Sequence, residues 1–130
     1  MNTNLQGQIV PASAAAEQAV LSGAVLRAAS ILDLSQKTLA EILGTSPAQM
    51  TRLAQGKAQL NPADKTGELA LLFVRIFRSL DAITGSDDTA SRSWLQAENL
   101  DLRGVPLDLI KTVQGLVHVC AYLDSARARH

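Results

Sequence analysis

Apolar side chains recur at helical spacing through most of this chain, and this periodicity most limits what the chain can fold into. No run of Val, Ile, Thr and aromatic residues alternates with polar residues, so the sequence predicts no β-strand. Hydrophobic residues make up 47% of the chain and aromatic residues only 3%, so Ala, Leu, Ile and Val must build the core. That composition favours helices, and we expect an all-α fold.

A chain of 130 residues can bury one sizeable core, or two small cores that share an interface. Its twelve basic and twelve acidic residues balance, which excludes a polycation that coats nucleic acid through bulk charge. The single cysteine, Cys120, can form no disulfide within the chain. Its apolar neighbours indicate a small buried hydrophobic residue rather than a reactive thiol.

The start of the chain lacks the basic residues and the long apolar run of a secretory signal. The longest apolar stretch, residues 69–74, is far shorter than the roughly 20 residues that a membrane helix needs. We therefore expect a soluble, cytoplasmic protein that has no membrane partner. Residues 1–12 are predicted to form a flexible arm.

Two short amphipathic helices joined by a glycine turn are predicted in residues 36–57. Ala40 is small enough to let the two helices cross closely. Gly44, on the next turn, can take the left-handed conformation that ends the first helix. The residues predicted to face inward are Leu39, Ile42, Leu43, Met50 and Leu53.

The second of these helices has a clear start. Ser46 is placed to cap it, Pro47 suits its first turn, and Gln49 stands three residues after the cap, as in a capping box. The whole arrangement is that of a helix-turn-helix, which we assign to residues 13–60.

The second helix of such a motif can enter the major groove of DNA. Its exposed early side chains would reach base edges, because Gln can read adenine and Arg can read guanine. The same pattern also arises in helix pairs that do not bind DNA, and only Arg52 and Lys57 are cationic near the predicted reading surface. The residues predicted to contact DNA are Gln36, Lys37, Ser46, Gln49, Thr51, Arg52 and Lys57.

A long central helix is predicted in residues 61–85, with Asn61 as its cap, Pro62 as its first residue and its end near Gly85. Leu71 and Val74 fall outside its inner stripe, so a second face of the helix needs a cover. That cover is either a second copy of the chain or the first helix, expected in roughly residues 12–29. The inner stripe comprises Leu69, Leu72, Phe73, Ile76, Leu80 and Ile83.

The last third of the chain carries a specific order of helix signals. Trp94 ends one helix, residues 99–104 make a polar connection, Pro106 can open a short helix, and Thr112 can cap the last one. The predicted inner stripe of the last helix is Val113, Leu116, Val117, Cys120 and Leu123.

This order resembles the toxin-binding domain of the Xre/MbcA/ParS antitoxin family, and residues 36–57 resemble the helix-turn-helix of Xre-type repressors, except that Thr45 stands where an apolar residue is usual. The resemblance implies an antitoxin that represses its own operon and dimerises. It also implies a toxin-binding domain in residues 86–130 and a RES-domain toxin, an enzyme that destroys NAD, as partner. The matching residues are Trp94, Leu95, Asn99, Leu102, Gly104, Pro106, Leu109, Ile110, Thr112, Gly115, Val119 and Leu123.

Two modes of inhibition follow from the resemblance. In the first, the carboxy-terminal tail enters the NAD pocket, where Arg127 or Arg129 pairs with acidic groups and the carboxylate of His130 occupies an anion site. In the second, the face of the domain covers the pocket. The residues predicted to contact the toxin are Trp94, Asn99, Leu109, Arg127, Arg129 and His130.

The sequence carries no sign of an enzyme or of a cofactor. The two histidines, His118 and His130, belong to no cluster with metal-ligand spacing, and no glycine-rich loop follows a strand. Two other functions fit the helix signals: a stand-alone transcription factor whose second half only dimerises, and a scaffold dimer that does not contact DNA.

Overall fold

The computed structural model describes residues 5–9 and 12–129, and these residues form an all-α fold, as predicted. An isolated antiparallel bridge joins Asn99 and Gly104. No helix in these ranges combines the length and the apolar character that a bilayer crossing requires. The helices are α1 (Ala12–Ile31), α2 (Gln36–Leu43), α3 (Pro47–Ala54), α4 (Lys65–Thr84), α5 (Asp88–Gln96), α6 (Pro106–Leu109) and α7 (Val113–Ala128).

The predicted arm lies only partly within the described residues, since residues 1–4, 10 and 11 are outside them. Of the remainder, Leu5 packs against the hydrophobic core. Gln6 Nε2 donates a hydrogen bond of 3.1 Å to Asp64 Oδ2. The described part of the arm is therefore in contact with the helical body.

Helices α2 and α3 form the predicted helix-turn-helix. Gly44 ends α2 in the left-handed conformation, with a φ of 66°, and its N–H is directed at the carbonyls of Ala40 and Glu41. Ser46 caps α3 by accepting a hydrogen bond from the Gln49 N–H at 3.1 Å. All five residues predicted to face inward are buried.

The predicted start of the central helix was wrong. Helix α4 begins at Lys65, with Asp64 as its cap, because the Asp64 carboxylate accepts the Gly67 N–H at 2.9 Å. The Asn61 side chain instead accepts the Ala63 N–H at 2.9 Å, which holds Asn61 and Pro62 in a turn before the helix.

Of the two covers expected for the outer face of α4, the first helix is present over part of that face. Val74 is only 7% exposed, because α1 packs along this side of α4 and Val74 lies beside Ala24 of α1. Leu71 remains 46% exposed, as expected for a residue outside the inner stripe. The first helix therefore covers Val74 but leaves Leu71 accessible.

The last helix, α7, packs against α4 with a narrower stripe than predicted. Leu116, Cys120 and Leu123 are buried, together with Val119, whereas Val113 and Val117 are 61% and 50% exposed. Helical spacing alone puts all the apolar residues of α7 on one stripe. In the structure α4 covers only one side of that stripe, so Val113 and Val117 stay exposed.

An ion pair fixes the position of α7 on α4. Arg75 contacts the Asp124 carboxylate through two nitrogens, at 2.7 and 3.2 Å, and Ser79 Oγ donates to the same carboxylate at 3.3 Å. Burial raises the pKa of the nearby Cys120 thiol, and the Asp124 carboxylate raises it further. The predicted interpretation of Cys120 as a buried hydrophobic residue is confirmed.

Polar contacts join the two halves of the chain around a shared hydrophobic cluster, which runs from Leu21 to Leu123. Arg92 Nε, on α5, donates a hydrogen bond of 2.7 Å to the Ile31 carbonyl at the end of α1. Lys111 Nζ, between α6 and α7, lies 3.3 Å from Glu41 Oε2 on α2.

Gly115 provides a test of how tightly α6 and α7 pack. A β-carbon at this position would overlap the backbone carbonyl of Leu109. We expect Gly115→Ala to destabilise the protein by about 1 to 3 kcal/mol, because backbone cannot give way as a side chain can. Gly23→Ala, on α1 with no neighbour within 4 Å, is the matched control and should raise stability by about 0.5 to 1 kcal/mol. Urea unfolding compares the two, and equal stabilities would contradict the close packing.

Candidate functional site

The residues predicted to contact DNA lie together on the helix-turn-helix. Gln36 and Lys37 at the start of α2 and Thr51 on α3 line one cleft of about 470 Å³ between the two helices. Ser46, Arg52 and Lys57 are exposed as well, while Gln49 is half-buried. The structure therefore brings the predicted residues to one accessible part of the molecule.

Several of these side chains already bond to their own backbone. Thr51 Oγ1 donates to the Pro47 carbonyl at 3.0 Å, and Arg52 Nη2 donates to the Lys57 carbonyl at 3.2 Å. Arg52 would have to exchange this bond for a base or a phosphate. Because the bond is exposed to solvent, the exchange costs little.

The predicted capping box forms only in part. Ser46 accepts the Gln49 N–H, but Gln49 Oε1 is buried and accepts no hydrogen bond in return. A buried amide oxygen without a partner is unfavourable by about 1 to 3 kcal/mol.

The charge on this part of the surface is modestly positive. Lys37, Arg52 and Lys57 are exposed, and the acidic Glu41 on α2 is paired with Lys111. Pairing removes much of the repulsion that Glu41 would exert on a phosphate. Three cations offer few phosphate contacts for one copy of the chain.

On the second half of the chain, Trp94 stacks on Tyr122, with ring centroids 6.3 Å apart and planes inclined by 22°. The Tyr122 hydroxyl donates to Asp101 Oδ2 at 2.9 Å, and this bond to the carboxylate raises the pKa of Tyr122. Sequence reasoning missed Tyr122, because no local pattern pairs a residue of α7 with one in the preceding loop.

Residues 99–104 form a tight loop, which we call the 99–104 loop. The backbones of Asn99 and Gly104 exchange two hydrogen bonds, of 2.8 and 3.3 Å, and Asn99 Oδ1 accepts the Leu102 N–H at 3.0 Å. The Asn99 side chain, predicted to contact a partner, therefore serves to close this loop.

Leu109 and the tail lie on different elements, since Leu109 ends α6 and the tail ends α7. Leu109 is half-buried and lines a hollow of about 660 Å³ with Val117 and His118. Arg127 and Arg129 are exposed at the end of α7, and Arg129 Nη1 donates to Ser125 Oγ at 2.9 Å. The hollow extends along α7 to Ala121, which precedes Arg127 by six residues, a rise of about 9 Å. His130 lies outside the described residues.

A groove of about 540 Å³ runs between α1 and α4, and we call it the α1–α4 groove. Val20 and Leu71, the most exposed apolar side chains on these two helices, line it together with Val74. The acidic Glu17 and the basic Arg78 also belong to its walls. The groove thus combines an apolar floor with charges of both signs.

Comparison with known families gives two matches on consecutive segments. Residues 11–75 match the antitoxin Xre-like helix-turn-helix domain, which is half of the chain. Residues 79–129 match the antitoxin Xre/MbcA/ParS C-terminal toxin-binding domain. No curated protein matches the chain significantly. The first segment contains α1 to α3 and the first part of α4, and the second contains α5 to α7.

Proposed function

The chain belongs to the Xre/MbcA/ParS-type antitoxins, and from that premise we propose that it inhibits an NAD-degrading RES-domain toxin and represses its own operon. The observation that carries the proposal is the succession of a helix-turn-helix domain and a toxin-binding domain on one chain. Both domains share one hydrophobic cluster, so a single folded body offers both binding surfaces.

We propose that DNA binding uses the exposed side of α3 together with the start of α2. Gln49 and Arg52 are the candidates for base contacts, because their amide and guanidinium groups can form paired hydrogen bonds with adenine and guanine. Lys37 and Lys57 are exposed at positions suited to phosphates. Since these cations are few, tight binding requires two linked copies.

We propose that the α1–α4 groove joins two copies of the chain. In a two-fold dimer the same surface meets itself, so Glu17 of one copy can face Arg78 of the other, and the reverse. Val20 and Leu71 would be buried between the copies. Burial of a leucine contributes about 1.5 to 3 kcal/mol, which favours this groove over the more polar surfaces.

We propose that the tail of α7 carries inhibition. A toxin that binds NAD must hold two phosphates, so its pocket presents donors that can bind an anion such as the terminal carboxylate, while catalytic acids at the pocket mouth could pair with arginines. Arg127 and Arg129 are exposed and lie in the last turn and cap of α7, where their stems extend from a rigid helix. This position favours entry of the tail into the toxin pocket over coverage of the pocket by the domain face.

The first prediction concerns DNA. Arg52→Ala should weaken binding to the duplex upstream of the gene by about 1 to 3 kcal/mol if Arg52 reads a base. Lys57→Ala should weaken binding to all duplexes about equally, since a phosphate contact carries no sequence information. Lys65→Ala, which removes a 95% exposed cation on α4, is the control. Gel-shift titrations that show no effect for both Arg52→Ala and Gln49→Ala would remove the recognition-helix assignment.

The second prediction concerns the dimer. Leu71→Glu should give a monomer in sedimentation, because it would bury two carboxylates in the α1–α4 groove, and it should weaken operator binding through the loss of bivalency. Val113→Glu introduces the same charge at an exposed apolar position outside the groove, and this control should remain a dimer. A folded Leu71→Glu dimer would show that the copies meet elsewhere.

The third prediction concerns inhibition. With the toxin encoded beside the gene, Arg127→Ala/Arg129→Ala should still bind but should no longer stop NAD consumption, since charge-assisted contacts contribute about 1.5 to 3 kcal/mol each. Lys65→Ala should inhibit like the unchanged chain. Calorimetry measures binding and an NAD assay measures inhibition.

The outcomes of this experiment separate the models. Full inhibition by the double variant would mean that the domain face covers the pocket. Loss of all binding would make the tail the main anchor. If the unchanged chain neither binds nor inhibits such a protein, a stand-alone transcription factor is the better description.

A further inference from the structure

Leu100 is the most exposed large apolar residue in the described part of the chain, with 88% of its surface accessible to solvent. It stands in the 99–104 loop, next to Asp101. Single exposed leucines are ordinary on protein surfaces and need no special explanation. What distinguishes Leu100 is the construction of the loop that presents it.

The 99–104 loop is fixed from three sides. Asn99 closes it through the backbone bonds to Gly104 and the side-chain bond to the Leu102 N–H. Leu102 is buried and anchors the loop in the core. The Asp101 carboxylate accepts the hydroxyl of Tyr122. Leu100, between these anchored residues, is held out into solvent on a fixed backbone.

The fixed backbone of the 99–104 loop favours binding through the Leu100 side chain. Association orders loops and side chains, and this ordering opposes binding unless the free protein already holds the bound conformation. Interfaces concentrate their affinity in a few apolar or aromatic anchors that fill pockets on the partner. Leu100 meets both conditions, since its backbone is ordered beforehand and its side chain contacts little of its own protein.

The position of Leu100 indicates its partner. The loop belongs to the segment that matches the toxin-binding domain. Asp101 connects the loop to Tyr122, and Tyr122 precedes Arg129 by seven residues, a rise of about 10 Å along α7, so the loop and the tail of α7 lie at the same end of the molecule. The loop therefore lies beside the surface that we propose for inhibition.

The residues that carry the family resemblance in this loop are those that build its frame. Asn99, Leu102 and Gly104 close and anchor the loop, and Leu100 is not among the matching positions. The fold of the loop therefore explains why these three residues match the family pattern. The exposed Leu100 makes no contribution to that fold. A residue that stability does not require is free to be selected for one partner.

We propose that Leu100 is a specificity anchor, which inserts into a leucine-sized apolar pocket on the toxin. The inference rests on the proposed function and adds to it one contact and its chemistry. Burial of the leucine should strengthen binding by roughly ten- to a hundredfold relative to a polar residue of smaller size.

The test compares Leu100→Ser with Val113→Ser, in the full-length chain, against the toxin encoded beside the gene. Val113 is the matched control, because it is 61% exposed on the first turn of α7 and outside the loop. Leu100→Ser should weaken toxin binding by roughly ten- to a hundredfold, and Leu100→Met should restore most of it. Thermal stability and operator binding should not change for any of these variants.

Equal toxin affinity of Leu100→Ser and the unchanged chain would overturn this inference and leave the proposed function intact. An equal loss for Leu100→Ser and Val113→Ser would also overturn it, since apolar surface in general would then account for the effect. If the unchanged chain itself fails to bind the toxin, the proposed function fails first and the inference with it.

Discussion

The burial of α4 is the constraint on which the rest of the structure depends. This helix contacts α1, α2, α5 and α7, and its core residues Phe73, Ile76 and Leu80 are almost completely inaccessible to solvent. A helix that is apolar on most sides is stable in water only when other helices surround it. The helix-turn-helix and the toxin-binding domain therefore both pack against α4. Their buried apolar residues belong to one shared hydrophobic cluster.

The sequence predicted what local chemistry decides. Gly44 and Gly85 end their helices in the left-handed conformation, and Ser46, Pro106 and Thr112 start theirs, as expected. These signals act through backbone groups a few residues away, so they can be identified without tertiary structure. The start of α4 failed because two candidate caps, Asn61 and Asp64, lie three residues apart, and only the structure shows that Asp64 caps the helix while Asn61 forms a turn.

What the sequence could not predict depends on contacts between distant segments. The sequence left two covers open for Val74, and only the structure shows that α1 buries it; the exposure of Val113 follows from the side on which α4 covers α7. The pairing of Tyr122 with Asp101, and that of Arg92 with Ile31, joins residues with no common periodicity. For the candidate DNA surface, periodicity found exposed positions apart from the half-buried Gln49, because exposure is the complement of a helix's buried stripe. For the proposed toxin-binding surface it was not, since the exposure of Leu100 on a fixed loop is visible only in the structure.

An ion pair between the two halves of the chain lies beside the surface that we propose for DNA binding and repression. Lys111 of the toxin-binding half pairs with Glu41 on α2, and this pairing reduces a negative charge beside the predicted DNA surface. With only three cations there, each carboxylate has a large relative effect on phosphate binding. A dimer through the α1–α4 groove would hold two weakly binding DNA surfaces at a fixed spacing. Once one surface had bound, the second would bind the same duplex at a high effective concentration, and this linkage rather than charge would supply the affinity. Sequence discrimination would rest on the few side chains of α3, since a protein with little nonspecific attraction to DNA gains most of its binding energy from the correct site.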